Sequence, residues 1–310
     1  YRMVKAVHAK PEFIFKQLDG NKEGIWWKVF MPTLQHAENK RALMLEQYAG
    51  RLSAIINPLR MGFREKVQVP GKNFYISKET IFAMALNYGN EDNRRKLYEG
   101  QEKDGWSQRL VDDVVMKNMT KEDWDAVQAI WDMIEEFWEP IKALEERRKG
   151  VAPEKVIPEK VETPHGVYAG GYYPVVTDIG SELRANQLED ASSLKELADN
   201  SSVRAATRKG HTKERVKSHG LRLRLDVGVI ADHLEQVIQD LAFDEPTREL
   251  YKILDDRTLQ QEMANVLGNE KVQMLKTWMV DVARGDYGSE PGWQRRYGRI
   301  LNWMRQNTTI

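Results

Sequence analysis

The most pronounced chemical pattern in the sequence is a run of cations between Arg204 and Arg224. Eight basic residues stand there against one acid, Glu214, although the whole chain is neutral, with 47 acids and 47 Lys plus Arg. The cations are Arg204, Arg208, Lys209, Lys213, Arg215, Lys217, Arg222 and Arg224. Such a cluster is typical of phosphate binding, so one hypothesis is a nucleic-acid interface. The alternative is pairing with acids of the same chain. Those acids include Glu145, Glu146, Asp255 and Asp256.

A second group of residues could serve an enzyme. His233 lies at the edge of an apolar helical stripe, with Asp240 two turns later and Asp226 at the start of the same helix. A hydrogen-bonded, half-buried histidine explains this arrangement, and a general base is the alternative. Acid pairs such as Glu135-Glu136 fall on polar helix faces, where solvation is the usual role and catalysis the rarer one.

The sequence contains none of the motifs that mark several enzyme classes. It has no HExxH zinc site, no GxSxG nucleophile, and neither a GxxxxGK[ST] nor a GxGxxG phosphate-binding loop. Its six histidines lack metal-ligand spacing, and the absence of cysteine excludes disulfides and thiolate sites. We therefore expect no metal site and no cofactor, assign no catalytic residue, and favour a non-enzymatic role.

The extended residues between Lys155 and Val176 are the element around which we expect the chain to fold. Two stretches rich in Val, Ile and Tyr flank Pro164-His165-Gly166, which predicts an antiparallel β-hairpin. The second stretch carries a motif whose glycines indicate a bulge or a close backbone approach. That motif consists of Gly170, Gly171, Tyr172, Tyr173 and Pro174. Residues 221–225 alternate leucine with arginine and are a candidate third strand.

The remainder of the chain has helical periodicity, apart from a predicted loop at 60–76. Trp124, Trp131 and Trp138 share one stripe of a predicted helix at 121–148, which indicates a core seam, with base or sugar stacking as the alternative. In that helix Thr120 and Asp123 predict a capping box, and Pro140 predicts a kink. The other predicted helices are 11–20, about 32–57, the stretch between Ser77 and Gly89, 91–98, 181–198, 226–243, 246–255, 257–267, 270–284 and 291–306. The predicted fold class is mainly α: a multi-helix globular module with one small antiparallel β-ribbon at about 155–176.

Composition is that of an ordinary soluble protein, with 30% charged and 41% hydrophobic residues. No apolar run approaches 18 residues, so we expect no membrane span. We divide the chain into an N-terminal helical part (1–150), a middle part with the ribbon and the basic segment (151–226), and a C-terminal helical part (227–310). A single domain combining all three is the alternative. We also expect the chain to be a piece of a longer polypeptide.

Several motifs in a specific order resemble a known group of proteins. They are LDG at 18–20 followed by EGIWWKVFMPTLQHAE, then FAMALNYGNEDNRRKLYEG at 82–100, TKEDWDAVQAIWDMIEEFWEPIKALEERRKGVAPEKV at 120–156, TPHGVYAGGYYPV at 163–175, ATRKGHTKERV at 206–216 and LRLDVGVIADHLEQVIQDLA at 223–242. Over roughly residues 10–300, the chain resembles a module of the large polyvalent proteins of tailed phages and prophages. Relatives of those proteins include internal virion or ejection proteins, which are carried in the capsid and delivered with the genome.

The resemblance implies a function by context. Polyvalent proteins string enzyme domains along helical modules of unassigned role, and this stretch resembles one of those modules, for which no catalytic residues can be carried over. We therefore expect a structural and assembly module, located in the virion and, after ejection, in the cytoplasm or envelope of the host cell. The alternative location is the host cytoplasm. The implied partners are other domains of the parent polypeptide, other virion proteins, DNA and further copies of the chain. The rival hypotheses are a nucleic-acid-binding module using residues 204–224, and an enzyme centred on the Gly170–Pro174 motif with His233.

Overall fold

A computed structural model describes residues 11–176 and 222–284, and this part of the chain is mainly helical with two small antiparallel sheets. The helices are α1 (Pro11–Leu18), α2 (Ile25–Ile56), α3 (Lys78–Leu86), α4 (Glu91–Glu102), α5 (Gln108–Asn118), α6 (Lys121–Glu135), α7 (Trp138–Lys149), α8 (Gly228–Asp255), α9 (Arg257–Leu267) and α10 (Asn269–Arg284). The strands are β1 (Lys66–Gln68), β2 (Tyr75–Ser77), β3 (Val161–Thr163) and β4 (Gly166–Tyr168). The predicted fold class is confirmed. The helices predicted at 181–198 and 291–306 lie outside the described residues.

The chain forms two compact units, each built from segments that are distant in sequence. Among the described residues, the first unit comprises 11–47 and 235–284, and the second comprises 48–176 and 222–234. Helices α2 and α8 each contribute residues to both units. The proposed boundaries near residues 150 and 226 remain a prediction.

The first unit has an apolar core drawn from both of its segments. Phe15 of α1 stacks on Phe30 of α2 with ring centroids 4.5 Å apart, and both side chains are completely buried. The start of α2 is fixed by Asp19, whose carboxylate accepts the backbone N–H groups of Trp26 and Trp27 at 3.2 and 2.8 Å. This side-chain cap explains why α2 begins at Ile25, before Pro32, and corrects the prediction that Pro32 opens the helix.

Helix α8 likewise continues through a proline. The sequence predicts separate helices at 226–243 and 246–255, but α8 runs unbroken to Asp255 with Pro246 inside it. Proline removes one backbone donor from the helix interior. The hydroxyl of buried Thr247 donates to the carbonyl of Phe243 at 2.6 Å, so one carbonyl in this region gains a side-chain donor.

The core of the second unit lies around α3 and α6. Ser77 caps α3 by accepting the N–H of Thr80 at 3.1 Å, and the six residues from Ile81 to Leu86 are all buried. After its polar first turn, α3 is therefore buried on every side, although the sequence predicts one apolar side. The predicted capping box of α6 is present, with Thr120 and Asp123 each accepting the other's backbone N–H.

The predicted helix at 121–148 is two helices. Helix α6 ends at Glu135 and α7 begins at Trp138, so Pro140 falls in the first turn of α7, where a missing N–H costs little. Trp124 and Trp131 are completely buried, as the core-seam interpretation requires. The break carries Phe137 into the core instead, and Trp138 is only half-buried.

Two hairpins supply the β-structure of the second unit. The predicted hairpin is present, but its strands β3 and β4 have three residues each, paired Val161 with Tyr168 and Thr163 with Gly166. The flanking residues 155–160 and 171–176 are neither strand nor helix. Leu223 forms a single bridge, and the N–H of Arg224 donates to the carbonyl of Val176 at 2.8 Å, so 222–225 touches this region without forming a third strand. The hairpin β1–β2 occupies part of the stretch predicted to be a loop.

Candidate functional site

The Gly170–Pro174 motif lies against the 3₁₀ turn Asn87–Gly89 and is fastened there by backbone bonds. The carbonyl of Gly89 accepts the N–H groups of Glu159 and Gly171, both at 2.9 Å. A Cβ at Gly170 would overlap the carbonyl oxygen of Glu159, and one at Gly171 would overlap the side chain of Trp131. The predicted close backbone approach is therefore the role of both glycines.

Side chains from α4 and α6 hold the same motif. Asn90, the N-cap of α4, donates through its amide to the carbonyl of Gly171 at 3.2 Å, and Asn93 donates to that of Tyr173 at 2.7 Å. Gln128 of α6 accepts the N–H of Ala169 at 2.9 Å and donates to the carbonyl of Gly170 at 3.3 Å. These amides pair with backbone groups of a segment that has no strand partner of its own.

Tyr172 contacts His233, so the structure does bring the motif to the histidine that the enzyme hypothesis names. The two rings lie 5.8 Å apart between centroids, with 58° between their planes. His233 is 5% exposed, which makes it more buried than the sequence predicts. Burial raises the pKa of Tyr172 to about 12, so its phenol is neutral at physiological pH.

Next to this pair, Arg224 joins two aspartates. Its guanidinium donates to both carboxylate oxygens of Asp226, at 2.7 and 2.9 Å, and to Asp232 at 2.6 Å. Burial by itself lowers the pKa of Arg224, but the hydrogen bonds to the two carboxylates outweigh it and raise the pKa. Asp226 also accepts the N–H of Gly228 at 2.8 Å, so the arginine and the aspartate together anchor the start of α8.

Tyr173 lies in the same region with its phenol fully enclosed. The side chain is 1% exposed, and its hydroxyl has no hydrogen-bond partner among the described residues. Burial raises the pKa of Tyr173, and the negative charge of Asp226 raises it further. The phenol is thus held as a neutral group, and the ring acts as a large packing residue.

Only two of the eight predicted nucleic-acid-binding residues lie within the described part of the chain. Arg224 is in the cluster above, and Arg222 forms an ion pair with Asp104 while remaining half exposed. The other six, Arg204, Arg208, Lys209, Lys213, Arg215 and Lys217, lie outside the described residues. Their role stays a prediction.

Three of the four acids proposed as partners of the basic segment already have partners nearby. Buried Glu145 pairs with Arg148 and Lys149 of its own helix, at 3.2 and 2.7 Å. Asp255 pairs with Lys276 at 2.7 Å, and Asp256 caps α9 by accepting the N–H of Leu259. Each of these acids stabilises its own helix or the neighbouring one.

Two phenols share one carboxylate in a partly buried network that no sequence pattern indicates. Tyr88 and Tyr98 both donate to Oδ1 of Asp112, each at 2.6 Å, and this joins the Asn87–Gly89 turn, α4 and α5. Burial and the hydrogen bond to Asp112 raise the pKa of Tyr98 to about 12. The tyrosines are ten residues apart, so no local spacing identifies the network.

Two further observations concern the described ranges alone. Across 11–176 and 222–284, no group of three or more His, Asp or Glu side chains is placed to hold a metal ion. None of the helices in these ranges combines the length and apolar character that a membrane crossing requires.

Comparison with known proteins adds no relative. No protein-family model, curated protein or solved structure matches the chain.

Proposed function

We propose that this chain is a non-enzymatic structural and assembly module of a large phage-encoded protein, packaged in the virion and ejected with the genome. One observation about the described residues supports the structural part. The Gly170–Pro174 motif, around which the enzyme hypothesis is centred, is bound to its own unit through Gly89, Asn90, Asn93 and Gln128. The polar side chains of Asn90, Asn93 and Gln128, which could have served a reactive site, instead form hydrogen bonds to an irregular backbone segment.

Burial of the aromatic and imidazole groups points the same way. A general base or a reacting phenol must reach its substrate, either directly or through one water molecule. His233 and the phenol of Tyr173 are enclosed, and the guanidinium of Arg224 is bound by two carboxylates. Their arrangement favours packing over catalysis. The phage context comes from the order of sequence motifs described above.

The virion assignment can be tested on phage particles. Antibodies against the purified chain and peptide mass spectrometry should detect the parent polypeptide in purified tailed-phage particles from the strain that encodes it. Particles triggered to release their DNA should have lost it, and a capsid protein measured in parallel controls for recovery. A parent polypeptide found in the lysate but absent from intact particles would refute the proposal.

The second candidate function is nucleic-acid binding by the basic segment, which the excess of eight cations over one acid favours. Each phosphate neutralised on duplex DNA adds roughly 0.9 to the slope of log affinity against log salt. Changing Arg208, Lys209, Lys213 and Arg215 together to Gln should therefore lower both affinity and slope in a duplex titration at several salt concentrations. No binding by the unchanged chain at low salt, or equal binding by the variant, would contradict this function.

A further inference from the structure

The hairpin β1–β2 presents a polar, aromatic face to solvent. Lys66 pairs with Ser77, Val67 with Ile76, and Gln68 with Tyr75. Residues opposite each other share a face and successive residues alternate between faces. Lys66, Gln68 and Tyr75 therefore lie on the outer face, where all three are exposed, and half-buried Val67 and Ile76 lie on the inner face.

The inner face and the turn hold this ribbon in place. Val69 is completely buried, and the ring of Phe74 packs on buried Trp106 with centroids 6.0 Å apart. The turn has Pro70 at its second position and Gly71, with φ +72°, at its third, and the N–H of Lys72 closes it on the carbonyl of Val69 at 3.0 Å. Proline and glycine at these positions are typical of a type II turn.

The ring of Tyr75 is therefore exposed to solvent on a strand that is held in place by its inner face and by the turn. Its side chain is 60% exposed, although it belongs to a strand whose next residue, Ile76, packs inward. Exposed single hydrophobic residues are common on protein surfaces and by themselves imply nothing. Tyr75 differs from such residues because the sequence around it carries an excess of cations.

Residues 60–78 carry five cations against one acid, Glu65. Lys78 is paired with Asp123 at 2.9 Å, and Lys72 donates to the carbonyl of Gly105 at 2.9 Å. Exposed Arg60, Arg64 and Lys66 form no ion pair with any residue of the described ranges. The residue before Gly105 is Asp104, which pairs with Arg222, so the C-terminal end of the basic segment lies near the turn end of this ribbon.

We infer that the outer face of β1–β2 binds single-stranded nucleic acid, with a base stacked on Tyr75 and phosphates on Lys66 and Arg64. An exposed ring with a cation on the same face, here Lys66 diagonal to Tyr75, is the combination that sequence-independent single-strand binders use, because every base has a flat face and every linkage a negative charge. A duplex presents phosphates but no free base face, so the ring favours a single strand. Binding at this ribbon would not depend on packaging in a virion.

The test is a fluorescence-anisotropy titration of a labelled oligothymidylate with the purified chain at several salt concentrations. Tyr75→Ala should weaken binding by about 10- to 100-fold, while Tyr75→Phe, which keeps the ring, should stay close to the unchanged chain. Lys66→Gln should lower the salt slope by roughly 0.7 per lost phosphate contact. Lys117→Gln, an exposed lysine of α5 in the same unit, is the charge-matched control and should bind like the unchanged chain.

The basic segment is removed as a confounding site by repeating the Tyr75 comparison in the variant with Arg208, Lys209, Lys213 and Arg215 changed to Gln. A Tyr75-dependent loss that persists there assigns binding to the ribbon. Three results would overturn the inference: no oligonucleotide binding at low salt, Tyr75→Ala binding as tightly as the unchanged chain, or equal competition by an acidic polypeptide, which would show charge attraction without stacking. Matching denaturation midpoints confirm that the variants are folded.

Discussion

The Gly170–Pro174 segment crosses the Asn87–Gly89 turn so closely that the crossing depends on the absence of single Cβ atoms. Gly89, Gly170 and Gly171 leave no room for a Cβ, because backbone or the ring of Trp131 occupies each position. Because glycine occupies all three positions, the carbonyl of Gly89 can accept two backbone N–H groups, both at 2.9 Å. The conformational freedom that glycine loses on folding is offset here by hydrogen bonds that no larger residue would allow.

Gly170→Ala should therefore destabilise the protein by several kcal/mol. The left-handed backbone at φ +80° costs a side chain about 1–2 kcal/mol, and overpacking against the carbonyl of Glu159 adds about 1–3 kcal/mol. Gly150→Ala is the matched control, since Gly150 has φ +76° with nothing near its absent Cβ, and it should show the backbone cost alone. Urea denaturation of both variants measures the difference, and equal losses would show that the crossing is not tightly packed.

At the scale of elements, the break between α6 and α7 determines which aromatic residues enter the core. A continuous helix would keep Trp138 on the stripe of Trp124 and Trp131. Because α6 ends at Glu135, Phe137 takes the buried position and Trp138 lies at the surface, where the ammonium of Lys155 sits 5.5 Å from its ring centroid. The indole N–H of Trp131 is satisfied by the carbonyl of Leu86 at 2.9 Å, which ties α6 to α3.

The two tryptophans should therefore respond differently to truncation. Trp131→Ala should lower the free energy of unfolding by about 3–5 kcal/mol, the usual cost of removing a buried large aromatic side chain. Trp138→Ala should cost about 1 kcal/mol, as for a half-exposed residue. Denaturant melts monitored by circular dichroism compare them directly. A loss below about 1 kcal/mol for Trp131→Ala would mean that its ring is not a core residue.

At the scale of the whole molecule, folding depends on keeping tyrosines protonated. Tyr98, Tyr168 and Tyr172 have pKa values raised to about 12 from an ordinary 10.0, in each case chiefly by burial. Burial also raises the pKa values of Tyr88 and Tyr173. These phenols all belong to the second unit, where several of them face carboxylates.

Stability should accordingly fall in alkali. A folded pKa above the unfolded one means that the unfolded chain releases its protons first, so stabilisation is complete below pH 10 and is lost as pH rises toward 12. Urea midpoints measured from neutral pH upward should decline beyond pH 10, together with the appearance of tyrosinate absorbance. Tyr98→Phe should reduce the steepness of that decline. A Tyr98→Phe variant that loses stability in alkali as steeply as the unchanged chain would contradict the prediction.

The sequence alone determined the features that depend on neighbours within a few residues. The caps at Ser77, Asn90 and Thr120 and the helix end at Gly150 were predictable, because each is closed by groups at most four residues away. The short hairpin at 161–168 and the burial of Trp124 and Trp131 follow from equally local patterns.

Only the tertiary structure decided the features that depend on distant partners. Asp19 fixes the start of a helix that contains a proline, and the β1–β2 ribbon is held in place because Val69 and Ile76 pack inward. The partners of the Gly170–Pro174 motif, chiefly Asn90 and Asn93, lie about 80 residues away along the chain. A pattern read over a few residues carries no information on which distant groups will meet, because that is set by how the whole chain buries its apolar surface and pairs its buried polar groups.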